Sequence, residues 1–129
     1  MLSLVTVVVR NYDKAIAFYT GKLGLVLEQD TVLGDGKRWV VVRPHGGGAG
    51  LLLAEPKNEQ ESACIGNQTG GRVFLFLTTD DFDRDYRRME EAGVTFRETP
   101  RHEAYGTVAV FEDLYGNLFD LIEPASPHV

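Results

Sequence analysis

The side chains best placed to do chemistry lie near the end of the chain. In the stretch TVAVFEDLYGNLFDLIEP, residues 107 to 124, a carboxylate, Asp120, interrupts a second apolar run. A charge within a strand either points to water by alternation or is paired, hydrogen-bonded or turned to a polar cavity. Tyr105, in the turn-rich RHEAYG, carries a phenol that could donate a proton or a hydrogen bond near a cleft mouth. With Asp120 as general base and Tyr105 as proton donor, the two would be the first pair to test for an acid–base step. His102 and Glu103 form the other acid–base candidates, although solvated loop charges are the ordinary reading of such a pair. Trp39, the single tryptophan, reads either as core packing or as a flat stacking face with an N–H donor. Asn67-Gln68-Thr69-Gly70-Gly71 offers amides and pliant backbone that suit either a gate or a plain connection, with Gln68 as the candidate contact.

Other chemistries are excluded by what is missing. Cys64 is the only cysteine and has no cationic neighbour to lower its pKa, so neither an internal disulfide nor a thiolate nucleophile is supported. The glycines of HGGGAG lack the Lys-Ser/Thr that follows in a phosphate loop, so no nucleotide site is expected. The three histidines, His45, His102 and His128, fall in a loop, beside a loop and at the tail. With 129 residues, 43% of them hydrophobic, the chain can bury one core. Its net charge of −6 disfavours a nucleic-acid partner. No apolar run reaches the roughly 18 residues of a membrane span, and the first residues lack the basic start of a signal peptide. The expectation is a soluble cytoplasmic protein without a membrane or nucleic-acid partner.

The elements that must carry these residues follow from periodicity. Leu4 to Val9 reads as a strand, with Asn11 or Asp13 capping a helix whose Ile16, Tyr19 and Leu23 share a face before Gly24. Leu25–Val32 and Arg38–Val42 flank the hairpin signal Gly34-Asp35-Gly36, and Leu51–Glu55 is a further strand. Residues 56–71 are polar and read as a linker or site loop without regular structure. The pattern then restarts. Val73–Leu77 is a strand, Asp80 or Asp81 caps a helix with Phe82, Tyr86 and Met89 on one face, and Gly93 ends it. Val94–Glu98 reads as a strand and His102–Tyr105 as a loop, and the two arms around Tyr115-Gly116-Asn117 close a hairpin. Both halves are therefore β-α-β-β-β. Asp13-Lys14 and Asp83-Arg84 lie 70 residues apart, each after an aromatic, Tyr12 or Phe82. The expected fold is α+β: one domain over 1–129, with modules 1–55 and 72–124 joined by linker 56–71, each sheet carrying its helix on one face and leaving the other to a cleft.

NYDKAIAFYTGKLGLVLEQ after a first strand, with FEDLYGNLFDLIEP near the end, resembles the vicinal oxygen chelate superfamily, which includes glyoxalase I, bleomycin-resistance proteins and extradiol dioxygenases. The resemblance spans about Leu4 to Glu123 and implies the two-module fold and a homodimer. It also implies a divalent metal held by His and acidic side chains of inner strands. Carried over one by one, those positions fall on Leu4, Leu52, Val73 and Asp120, of which only Asp120 has a lone pair to offer. The resemblance therefore implies a member with no bound metal and no other cofactor, whose metal cavity has become an apolar one. Leu4, Leu52 and Val73 would line it, with Asp120 turned inward as the polar anchor. Two functions follow as expectations. One is a binding protein for a small organic molecule, where an acidic surface would suit a cationic drug. The other is a superfamily enzyme, a lyase, isomerase or dioxygenase-like protein, acting on a small carbonyl or aromatic compound.

Overall fold

The computed structural model describes residues 1–125, and His128 lies outside them. The chain forms two compact units, Met1–Gln68 and Thr69–Val129, each built on a four-stranded sheet.

In the first unit the strands are β1 (Leu4–Val8), β2 (Val26–Gly34), β3 (Lys37–Arg43) and β4 (Gly50–Ala54). They lie in the order β1-β4-β3-β2, with β1 parallel to β4 and the rest antiparallel. Helix α1 (Tyr12–Ile16) begins where the Asn11 side chain accepts the Lys14 amide, and it runs into a π-helical turn, Ala17–Lys22. There the Leu23 amide reaches the Phe18 carbonyl at 3.2 Å, and Gly24, at φ 76°, ends the helix as expected. Alternation sorts the sheet: Val7, Val40, Val42, Leu51 and Leu53 are buried with Ala15 and Tyr19 of the helical segment.

The second unit repeats this order. Strands β5 (Val73–Thr78), β6 (Arg101–Glu103), β7 (Gly106–Glu112) and β8 (Leu118–Pro124) are arranged β5-β8-β7-β6, with β5 parallel to β8. Helix α3 (Phe82–Glu91) is capped by Asp81, whose side chain accepts the Arg84 amide. A run of aromatic contacts fastens it to the sheet: Phe82–Tyr86 at 5.6 Å, Tyr86–Phe96 at 4.4 Å, Phe96–Phe111 at 5.6 Å and Phe111–Phe119 at 5.2 Å.

The two units share one more device. Glu55, just past β4, accepts the Tyr12 amide at 2.9 Å, and Glu123 of β8 accepts the Phe82 amide at 2.7 Å. Each helix thus starts on a carboxylate from its own sheet, where the helix dipole favours negative charge.

Three sequence expectations are corrected. Val94–Glu98 is no strand; it contributes only the isolated bridge Phe96–Phe111, because the Glu98 carboxylate, rather than a neighbouring strand's carbonyl, takes the Val110 amide at 3.0 Å. His102 and Glu103, expected in a loop over His102–Tyr105, instead lie with Arg101 in β6 (Arg101–Glu103), held by β7 through the turn that ends at Gly106. Residues 56–71 are not without regular structure, since Asn58 caps a short helix, α2 (Glu59–Ser62), by accepting the Glu61 amide at 2.8 Å.

Candidate functional site

Asp120 sits in the middle of β8, directly opposite Phe76 on β5 and Val110 on β7. Its neighbours Phe119 and Leu121 are buried on the helix-covered side, so alternation turns Asp120 to the open face. The register places Val73, Phe76, Thr78, Val110, Leu118 and Ile122 on that same face. The middle of this face is mostly apolar with Asp120 at its centre, while Glu112 and the β6 residues Arg101 and Glu103 lie toward its edges. Phe76 is 64% exposed there.

The carboxylate is incompletely satisfied. Asp120 Oδ1 is shut off from solvent and has no hydrogen-bond partner, the sole buried side-chain oxygen or nitrogen in that condition among the described residues. Burial pushes the Asp120 carboxyl above its ordinary range; Arg101 pulls it back and Glu98 pushes it further up. Arg101 cannot be counted as its counter-ion, because its own bonds go to Glu98 Oε1 at 2.9 Å and Glu103 Oε1 at 3.2 Å. Hydrogen bonding, foremost to Glu98, holds the Arg101 guanidinium above its ordinary value. Glu98 is committed as well, with Oε1 to Arg101 and Oε2 to the Val110 amide. Two carboxylates thus hold the Arg101 guanidinium, while Asp120 feels its charge without receiving a hydrogen bond.

Sequence reasoning singled out Asp120 and Tyr105 but missed Phe76, Glu98 and Arg101. Tyr105 lies on the β6–β7 turn, 51% exposed, with its carbonyl accepting the Ala125 amide at 2.9 Å. His102 is exposed, with its ring Nδ1 3.3 Å from the Thr107 hydroxyl. The remaining candidates lie in the first unit. Leu4, Leu52 and half-buried Trp39 share the sheet face away from the helix, as Thr6↔Leu52 and Val41↔Leu52 pairing requires. Gln68 is occupied: its amide donates to the Val8 carbonyl at 3.1 Å and the Cys64 carbonyl at 3.0 Å, tying the end of the unit to β1.

The family's divalent metal does not fit these side chains. Leu4, Leu52 and Val73 present only carbon, and among the described residues no three His, Cys, Asp or Glu are grouped to hold an ion. Among the described residues, no helix is long and apolar enough to cross a membrane.

Comparison with known proteins agrees with the fold. The family model described as "Glyoxalase/Bleomycin resistance protein/Dioxygenase superfamily" matches residues 2–121. An uncharacterised protein of Shewanella frigidimarina (strain NCIMB 400) is 54% identical over 121 residues, which cover 92% of this chain and 90% of that protein. The crystal structure of UcmS2 superposes with a TM-score of 0.81 at 33% identity, covering 95% of this chain and 96% of that one. That of TnmS3, an antibiotic binding protein from Streptomyces sp. CB03234, superposes with a TM-score of 0.79 at 31% identity, covering 97% and 96%.

Proposed function

This chain belongs to the glyoxalase/bleomycin resistance protein/dioxygenase superfamily, and on that premise we propose that it is a metal-free binding protein for a small organic molecule. The observation that carries this reading is the unpartnered Oδ1 of Asp120 in the mostly apolar middle of a sheet face. Ligand sites are commonly mostly apolar with a few placed polar groups, and a buried acceptor without a donor is a cost that a ligand's donor removes. Phe76 and Ile122 would supply contact area beside it, and Asp120 would orient the molecule. The likeness to an antibiotic binding protein supports the same direction.

The test is metal analysis of protein purified without added metal, followed by calorimetric titration with Ni, Mn, Zn and Fe(II) and with a panel of small aromatic compounds. The expected result is sub-stoichiometric metal and saturable binding of aromatic compounds that a chelator leaves unchanged. Near-stoichiometric metal that disappears in Asp120→Ala would overturn the reading and put the superfamily enzyme ahead.

A further inference from the structure

The surroundings of Asp120 narrow the class of molecule, and this step rests on the binding role proposed above. We infer that the ligand of the second sheet's open face is an organic cation: a protonated amine attached to a flat apolar body, with the ammonium on Asp120 and the body against Phe76. The argument is one of charge and shape. The Arg101 guanidinium is already shared between Glu98 and Glu103, so the face carries more negative charge than its own cation offsets. Asp120 Oδ1 accepts nothing, whereas both oxygens of Glu98 are bonded, so the acceptor left for a newcomer belongs to Asp120, where a ligand would have to displace the side chains that close Oδ1 off from solvent. A carboxylate placed there would meet Asp120 and Glu98 and be repelled, and a neutral donor would leave the excess charge unbalanced. An ammonium does both jobs, since it donates and it carries the compensating charge.

Shape supplies the second half. Phe76 is the cross-strand partner of Asp120 and is exposed, so a ring and a carboxylate stand side by side on one pleat. Neighbouring strands lie about 4.8 Å apart, a spacing within the reach of an amine one carbon removed from an aromatic ring. Stacking against a phenyl face and a charge-assisted hydrogen bond would therefore be made together by one small molecule.

The experiment uses three matched probes at pH 7: 2-naphthylmethylamine, 2-naphthylmethanol and 2-naphthoate, titrated into the full chain by calorimetry. The amine is expected to bind about tenfold more tightly than the alcohol, one such factor being the scale of a single good charged contact, and the carboxylate least of all. Asp120→Asn, close in shape, should erase the preference for the amine while the alcohol still binds, and Phe76→Ala should weaken both and keep their order. Circular dichroism of each variant confirms that it is folded. Equal or tighter binding of the alcohol or the carboxylate overturns the cationic class and leaves the binding role standing. If none of the three binds, the cationic class and the binding role fall together.

Discussion

Replacing Asp120 by leucine should make the protein more stable, although most substitutions at half-buried positions do the opposite. A closed-off acceptor without a donor costs about 1–3 kcal/mol. The lower part of that range applies, because the residue is only half-buried even though Oδ1 itself is closed to solvent. Taking about 1–2 kcal/mol and an unfolding entropy of roughly 0.27 kcal/mol per kelvin for a domain of this size, the expected gain in Tm is about 4–7 °C at pH 7. The pH dependence has a definite sign. Burial raises the carboxyl of folded Asp120 above the 3.8 ordinary for an aspartate, so the folded state holds its proton more tightly than the unfolded chain does. The charge-dependent part of the penalty is therefore absent below pH 3.8, sets in as the pH rises toward the folded-state value, and is complete above it. The advantage of Asp120→Leu should be largest at neutral pH and shrink as the pH falls toward 4. Calorimetric melts of both proteins across this range measure it. A variant that melts at the same temperature as the parent, or lower, at pH 7 would mean that Oδ1 is satisfied, and the argument that it awaits a donor would fail. A gain at neutral pH would also explain the residue: stability is given up where a function holds it in place.

Two further predictions concern how the face is built. Gly106 has φ +151°, and a Cβ there would stand 2.3 Å from the Glu123 carbonyl oxygen, so Gly106→Ala should lower Tm by several degrees and loosen the β6–β7 turn that carries Tyr105; thermal melts and amide exchange of β6 report both, and an unchanged melt would contradict the geometry. Removing either helix cap, Asn11→Ala or Asp81→Ala, should cost about 1 kcal/mol in denaturant titrations, the loss falling on α1 in the first case and on α3 in the second.

How much of this could be read from the residues divides along a physical line. The two βαβββ units were legible because apolar periodicity, capping side chains and helix-ending glycines are local signals, and Asn11, Asp81, Gly24 and Gly93 each occupy the place their chemistry suits. The repeat left a further trace: Leu53-Ala54-Glu55-Pro56 and Leu121-Ile122-Glu123-Pro124 have one pattern, Leu-x-Glu-Pro, and its glutamates are the carboxylates that receive the two helix starts. Asp120 was legible too, since a charge inside an apolar strand stands out. What surrounds it was not. Glu98 lies 22 residues away in sequence, in a segment whose valine and phenylalanine suggest a strand, yet its side chain takes the amide bond that a strand would have given to another backbone. Arg101 drew no notice because no local pattern announces a three-residue edge strand stabilised by pairing with β7. Phe76 was hidden by its own strand, where VFLFLT is apolar at nearly every position and alternation cannot tell which ring faces the helix and which the open side. That distinction depends on register. Once β8 is paired to β5 with Phe76 against Asp120, ring and carboxylate become neighbours, and the character of the face follows from a pairing that neither segment specifies alone.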